Sequence, residues 1–128
     1  KEISSIASGG ELSRLMLCIK YLIASANLLP TIIFDEIDSG ISGEIANKMG
    51  LLMKEMGNDI QVISITHLPQ VAAKGNSQML VKKIEKNNLT ETKIIKLKDN
   101  ERIIELAKML SGEKITESSI LNAKELLN

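Results

Sequence analysis

A chain of 128 residues with 44% apolar side chains can form one small domain, or part of a larger one, with an aliphatic core. Tyr21 and Phe34 are the only aromatic residues, which disfavours a stacking platform for single-stranded nucleic acid. Sixteen basic and sixteen acidic residues cancel, so no net charge attracts the chain to DNA or to a membrane, and any contact with nucleic acid has to be local.

The single cysteine, Cys18, stands among apolar residues. We expect a buried, reduced thiol rather than a nucleophile or a metal ligand, which favours a cytoplasmic setting. No signal peptide is recognisable, and no apolar run is long enough to span a bilayer. The sequence opens at Lys1 without an initiator methionine and is patterned almost at once, which suggests a piece of a longer polypeptide.

The first predicted element is a helix from Glu11 to about Asn27, preceded by Ser8, Gly9 and Gly10. Its apolar residues recur at helical spacing: Leu12, Leu15, Met16, Ile19, Leu22 and Ile23. A helix N-terminus presents free N–H groups and a positive dipole end, and glycine lets a ligand approach closely. An anion site and an ordinary cap with Ser8 as the capping residue both remain open, and the motif alone favours the cap.

The next element is an uninterrupted β-branched and aromatic run, Thr31 to Phe34, which predicts a short strand buried on both faces of a parallel sheet. Asp35 and Glu36 follow at its carboxyl end, the edge at which open α/β sheets bind ligands. In the alternative interpretation, Asp35 caps the strand and Glu36 points to water.

A second helix is predicted from Glu44 to about Met56 and a second strand from Ile60 to Thr66. Strand, helix and strand at this spacing indicate a βαβ unit with parallel strands. We interpret the methionines of the helix as core filling rather than as a binding surface. They lie on its apolar face, which comprises Ile45, Met49, Leu52, Met53 and Met56.

His67 follows the second strand, and Pro69 can open a short helix through Ala73. A lone histidine is more often structural than catalytic. This one leaves the carboxyl edge of a parallel strand, next to Asp35 and Glu36 if the two strands are neighbours, so we favour a functional role.

Two strand-like runs, Gln78–Lys86 and Thr90–Lys98, flank Asn87 and Asn88, which tolerate the positive φ of a tight hairpin turn. Lysines outnumber acidic residues in the predicted hairpin: Lys82, Lys83, Lys86, Lys93, Lys96 and Lys98. They could contact DNA phosphates, but lysines also deter edge-to-edge aggregation, which is the interpretation we prefer.

Two helices complete the chain, from about Asn100 to Leu110, closed by Gly112, and from Thr116, as N-cap, to Leu127. Each carries an apolar stripe that must pack against something: Ile103, Ile104, Ala107 and Leu110 in the first, and Ile120, Leu121, Ala123 and Leu127 in the second.

Three signals therefore stand in one order: SGGE opening a helix, a strand ending in DE, and a strand ending in histidine. Together they resemble the second half of an ABC-type ATPase head, where they are the signature motif, the Walker B strand and the switch histidine. The longer strings IASGGELSRLMLCIKYL, IIFDEIDSGISGEIA and ITHLPQVAAKG, followed by ELAKMLSG and NAKELL, resemble the RecN family of SMC-like proteins of bacterial DNA double-strand-break repair.

The resemblance covers essentially the whole chain and implies an α/β fold. Residues 1–128 are then the C-terminal lobe of a split P-loop ABC-type ATPase head, with a parallel βαβ core, a β-hairpin and two C-terminal helices. It also implies the site residues. Asp35 matches the Walker B aspartate that holds Mg²⁺ through water, Glu36 the carboxylate that activates the attacking water, and His67 the switch residue near the γ-phosphate.

Residues of the signature are implied to grip, in trans, the γ-phosphate of ATP held by a second head: Ser8, Gly9, Gly10 and Glu11. A D-loop along the dimer interface is implied at Asp38, Ser39, Gly40, Ile41 and Ser42. Two departures from common patterns occur. Ala7 and Glu11 flank Ser-Gly-Gly where transporters have Leu and Gln, and the D-loop ends Gly40, Ile41, Ser42 without the aspartate common in that loop.

No Gly-x-x-x-x-Gly-Lys-Ser/Thr occurs, so the Walker A loop that cradles the β- and γ-phosphates is missing, and no heptad run indicates a coiled coil. In RecN-like proteins that loop lies in an N-terminal lobe, which is therefore an expected partner together with a second head and DNA. We expect negligible ATPase activity and weak ATP and Mg²⁺ binding by this chain alone, no membrane contact, and a cytoplasmic, nucleoid-associated location.

Two other functions stay open. The lobe could be a non-catalytic module that binds DNA or another protein through its hairpin and C-terminal helices, with structural carboxylates. A transporter head is a weaker alternative, disfavoured by the RecN-like C-terminal part. Because one face of the sheet would lack its covering lobe, we also expect exposed apolar residues.

Overall fold

A computed structural model describes residues 9–26, 29–86 and 89–128. The chain divides into two compact units, residues 1–74 and 75–128, and each is described by itself. Elements of the first unit alternate in type, as predicted: α1 (Gly9–Ala26), β1 (Thr31–Asp35), α2 (Gly43–Met56), β2 (Gln61–Ile65) and the short α3 (Pro69–Ala72). Each bound lies within two residues of the predicted one.

The first unit contains the predicted βαβ arrangement. β1 and β2 are parallel neighbours, in a register that pairs Thr31 with Gln61 and Asp35 with Ile65. Phe34 is fully buried, and Ile32 and Val62 pack against the same core on that face of the sheet. The core is completed by residues of α1, α2, α3 and the loop after β1: Leu17, Ile41, Ala46, Met49, Met53, Met56 and Val71. The interpretation of the α2 methionines as core residues is confirmed.

The prediction that β1 is buried on both faces is wrong in this chain. Residues alternate across a strand, and the side chains opposite the core are exposed: Ile33 by 58%, Ile63 by 42% and Ile65 by 50%. The reason is that α1 and α2 both contribute to the core on the Phe34 side, while no described residue covers the Ile33 side. The expectation of exposed apolar residues is thereby confirmed.

The orientation of α1 also differs from the simplest interpretation of its sequence. Its buried residues are Gly10, Leu17 and Ala24, which lie seven residues apart on one line of the helix. The predicted apolar stripe is exposed instead: Leu12, Leu15, Met16, Ile19, Leu22 and Ile23. Cys18 shares that outward side, so the prediction of a buried thiol is wrong.

The second unit is a hairpin followed by two helices, as predicted. β3 (Met79–Lys86) and β4 (Leu89–Lys96) pair antiparallel, and every residue of β4 is exposed. The predicted turn at 87–88 lies outside the described residues. β3 ends at Lys86, as predicted, whereas β4 ends two residues before the predicted Lys98. Lys98 instead precedes a helix, and its backbone N–H donates to Glu101 Oε2 at 2.7 Å.

The two last helices, α4 (Asp99–Ser111) and α5 (Glu117–Leu127), pack on one another and bury Leu106, Ala107 and Ala123. Gly112 ends α4 with a φ of 78°, and the Thr116 hydroxyl caps α5 by accepting from the Ser119 N–H at 3.1 Å, both as predicted. The predicted stripes are only partly right, since Leu106 was not included and Leu121 is 60% exposed.

Among the described residues, no helix has the length and apolar character needed to cross a membrane.

Candidate nucleotide-hydrolysis site at the carboxyl edge of the sheet

The parallel register brings three predicted site residues to one edge of the sheet. Asp35 is the last residue of β1 and pairs with Ile65, the last residue of β2. The Glu36 N–H extends this pairing by donating to the Ile65 carbonyl at 2.9 Å. His67 follows two residues later. β1 and β2 are therefore neighbours, which is the condition under which His67 lies next to Asp35 and Glu36 at the sheet edge.

The side chains of Asp35, Glu36 and His67 are all exposed. None of them makes a hydrogen bond or an ion pair within the part of the chain that the structure describes. A strand-capping role for Asp35 therefore receives no support from the contacts. The edge presents two carboxylates and an imidazole that are available to a ligand.

Glu36 has an unusual backbone conformation. Its φ is 48°, in the left-handed region, and it is the only non-glycine residue with positive φ among the described residues. Such a conformation costs on the order of 1–3 kcal/mol and is concentrated at functional sites. Glu36 starts a tight turn in which its carbonyl accepts from the Ser39 N–H at 3.1 Å and Gly40 takes a φ of 80°.

The predicted D-loop is held at two points. Asp38 is 1% exposed, and its Oδ2 accepts a hydrogen bond from the Thr66 hydroxyl, while its carbonyl accepts from the Ile41 N–H at 3.3 Å. Ile41 is 7% exposed and belongs to the core. The remaining residues are exposed, namely Ser39, Gly40 and Ser42, the last preceding α2 in extended conformation.

Sequence reasoning missed Thr66. Its hydroxyl donates to Asp38, in the turn after β1, and accepts from the Leu68 N–H at 3.0 Å, in the turn after β2. Thr66 therefore links the two turns, and the residues that it joins in the second turn flank His67. The available signal was the polar residue at the end of an apolar strand, directly before the candidate histidine.

Three of the four predicted signature residues, Gly9, Gly10 and Glu11, lie at the start of α1. Ser8 is outside the described residues, Gly9 and Gly10 are the first helical residues, and Glu11 is exposed. A Cβ on Gly10 would lie 3.3 Å from the Ile45 Cδ1 atom and 3.4 Å from the Ile41 Cγ2 atom. The absence of a side chain at Gly10 therefore lets the N-terminus of α1 approach α2 and the D-loop closely.

The available ligands suit Mg²⁺ better than a metal that needs a full protein cage. No cluster of three metal-binding side chains occurs within residues 9–26, 29–86 and 89–128. Mg²⁺ usually keeps several waters and takes one or two carboxylates together with phosphate oxygens. Asp35, whose exposed carboxylate makes no hydrogen bond or ion pair within the described residues, fits that requirement.

Comparisons with known proteins extend over nearly the whole chain. No protein-family model matches it. It is 50% identical to the DNA repair protein RecN of Vibrio cholerae over 98% of its length, and 39% identical to that of Streptomyces coelicolor over 99%. It spans only 23% and 22% of those relatives, so it covers about a quarter of their length, at their C-terminal end.

Solved structures of SMC proteins share the fold. A structure from work on ATP-driven dimerization and DNA-stimulated activation of SMC ATPases superposes with a TM-score of 0.66 at 19% identity, covering 86% of this chain and 65% of that one. The SMC head domain from Thermotoga maritima gives 0.62 at 26% identity, covering 73% and 34%. The expected resemblance is confirmed: this chain shares the fold of part of the SMC head domains and is similar in sequence to the C-terminal part of RecN proteins.

Proposed function

We propose that this chain supplies one half of an ATP-hydrolysis site in a RecN-like DNA repair protein. The observation that carries the proposal is the register of β1 and β2, which places Asp35, Glu36 and His67 at one carboxyl edge with no partner among the described residues. Similarity to RecN and to SMC ATPase heads supports an ATPase rather than a transporter or a purely structural lobe.

Each residue then has a distinct task. Asp35 would hold Mg²⁺, which would supply charge neutralisation on the phosphates. Glu36 orients the attacking water and polarises it for in-line displacement at the γ-phosphate. His67 hydrogen-bonds near the γ-phosphate, so its contact is lost when that phosphate leaves. The left-handed backbone at Glu36 fixes where the carboxylate leaves the strand.

The site is proposed to be completed by other chains and segments. The Walker A loop belongs to an N-terminal lobe of the same protein, whose docking would cover the exposed Ile33 face of the sheet. Ser8, Gly9, Gly10 and Glu11 contact ATP bound by a second head, and residues 38–42 lie along that dimer interface. DNA is bound by the whole protein, which we place in the cytoplasm at the nucleoid.

The test is Glu36→Gln in the full-length protein, because glutamine keeps the size of the side chain but cannot act as a base. We expect ATP binding to persist, ATP turnover to fall by about a hundredfold or more, and closed head dimers to accumulate. Glu55→Gln, at an exposed position of α2 away from the edge, is the matched control and should hydrolyse ATP normally.

Two outcomes would contradict the proposal. Unimpaired hydrolysis by Glu36→Gln would remove Glu36 from its role. Steady hydrolysis by the isolated 128-residue chain, abolished by the same substitution, would show that no N-terminal lobe is needed.

The hairpin supports a second candidate, a DNA-binding surface. Four of its lysines are exposed and make no ion pair within the described residues: Lys82, Lys83, Lys86 and Lys96. Binding of duplex DNA by this chain alone, lost on changing these lysines to glutamate and weakened steeply by salt, would favour it. Restoration of Mg-ATP hydrolysis on mixing with the N-terminal segment would favour the ATPase.

A further inference from the structure

The turns that follow β1 and β2 are joined by one part-buried hydrogen-bond chain. The Thr66 hydroxyl donates to Asp38 Oδ2 and accepts from the Leu68 N–H at 3.0 Å, so its donor and one of its two acceptor sites are used. Asp38 and Thr66 are 28 residues apart in sequence. The link is therefore a tertiary contact between two functional loops, which we name the Asp38–Thr66 tether.

The tether spans His67 on both sides. Thr66 precedes His67 and Leu68 follows it, and both are fixed through the same hydroxyl. Downstream, the Leu68 carbonyl accepts from the Val71 and Ala72 N–H groups at 3.1 and 3.0 Å, which anchors the loop on α3. The imidazole is exposed while the backbone that carries it is held, which is the arrangement of a positioned ligand-contacting residue.

The other end of the tether lies in the D-loop turn. Asp38 is 1% exposed, and the second oxygen of its carboxylate is also buried without a hydrogen-bond partner in the described part of the chain. Thr66 is thus the one side-chain donor that the structure gives to this buried carboxylate. Burial of a half-satisfied carboxylate is unfavourable, and a purely structural contact could use an apolar pair instead.

We propose that Asp38 and Thr66 are positioning residues that couple the switch histidine to the D-loop. Movement of His67 requires movement of Thr66 or Leu68, and through the hydroxyl this displaces Asp38 and the turn up to Ile41. A change at the γ-phosphate is thereby transmitted to the loop proposed to face the second head. This inference rests on the proposed ATPase function and adds the connection between its two loops.

The experiment uses the full-length protein and compares Thr66→Val with Thr66→Ser. Valine keeps the shape and removes the hydroxyl, whereas serine keeps the hydroxyl and removes the methyl group. For Thr66→Val we expect kcat for ATP hydrolysis to fall by about tenfold to a hundredfold with KM changed by less than about threefold. Thr66→Ser should stay within about twofold of the parent protein.

A double-mutant cycle of Thr66→Val with His67→Ala separates a positioning role of Thr66 from a general loss of protein stability. If Thr66 acts through His67, Thr66→Val should cause little further loss of kcat once the imidazole is gone. An equal fractional loss in both backgrounds would overturn the inference, and so would an unchanged kcat in Thr66→Val itself. Should Thr66→Val not fold, Thr66→Ala is compared with Thr66→Ser in the same cycle.

Parallel assay of Glu36→Gln distinguishes the two proposals. If Glu36→Gln abolishes hydrolysis and Thr66→Val leaves it intact, only the tether is refuted. If both variants hydrolyse ATP normally, the proposed ATP site is refuted, and the tether with it.

Discussion

The exposed face of the two-stranded sheet allows a quantitative test of where the proposed N-terminal lobe docks. Ile33 lies at the middle of this face, 58% exposed and paired with Ile63. The proposed change is Ile33→Thr, which keeps a β-branched side chain suited to a strand but places a hydroxyl in the surface. The substitution should leave the fold of this chain intact, because Ile33 does not contribute to its core.

The expected magnitude follows from the exposed fraction. Burial of a whole isoleucine side chain is worth about 1.5–3 kcal/mol, and 58% of it remains for a docking partner to cover, so about 1–2 kcal/mol of association depends on Ile33. That free energy corresponds to a Kd weakened by about fivefold to thirtyfold. The hydroxyl adds to the loss unless the partner offers it a hydrogen bond.

The assay is titration of the N-terminal segment of the protein, made as a separate polypeptide, against this chain and its variants. Val81→Thr is the matched control, since Val81 is a β-branched strand residue 63% exposed on the hairpin, outside the sheet face. An unchanged Kd for Ile33→Thr, or equal losses for both variants, would refute the idea that this face is the docking surface.

Leu17→Ala should lower the free energy of unfolding by about 2–5 kcal/mol, because Leu17 is fully buried. Leu22→Ala on the same helix should lower it by about 0.5 kcal/mol or less, because Leu22 is 65% exposed. Urea unfolding measures both values, and the opposite ranking would show that α1 packs by its apolar stripe. Gly50→Ala should destabilise by about 1–3 kcal/mol despite better helix propensity, since its Cβ would lie 3.0 Å from a backbone oxygen of α3. The Lys48 ammonium lies 2.7 Å from Glu44 Oε1, and its hydrogen bond and positive charge lower the pKa of Glu44. The small stabilisation by the Glu44–Lys48 ion pair is therefore present at neutral pH and lost as the pH falls through the lowered pKa of Glu44. Lys48→Met should raise the pKa of Glu44 measured by NMR titration.

The course of the chain could be predicted from local patterns because those patterns are strong. The β-branched and aromatic residues of the run Thr31 to Phe34 favour a strand, and the methionines of α2 recur at helical spacing. The site edge followed from the same logic, since carboxyl ends of parallel strands meet. The caps of the last two helices were readable for a similar reason, because Thr116 and Gly112 act through their own backbone neighbourhood.

The burial of α1 and the contacts between loops could not be predicted, because they depend on which parts of the chain lie next to each other in the fold. The apolar stripe on α1 predicts a buried face, but in this structure the stripe is exposed, and the prediction of a buried Cys18 was wrong for the same reason. The Asp38–Thr66 tether was equally hidden, because a contact over 28 residues depends on the relative height of two turns. The signal of a single threonine is too weak to reveal it.

The left-handed backbone at Glu36 restricts which amino acids can occupy that position apart from any chemistry. A β-branched residue is nearly excluded there, while glycine, asparagine or aspartate would adopt the conformation more easily. Replacement by alanine or glycine therefore alters two quantities at once, the functional group and the conformational preference of the turn. Glutamine alters mainly the functional group, so a loss of activity in Glu36→Gln can be assigned to chemistry, whereas the same loss in a glycine variant cannot.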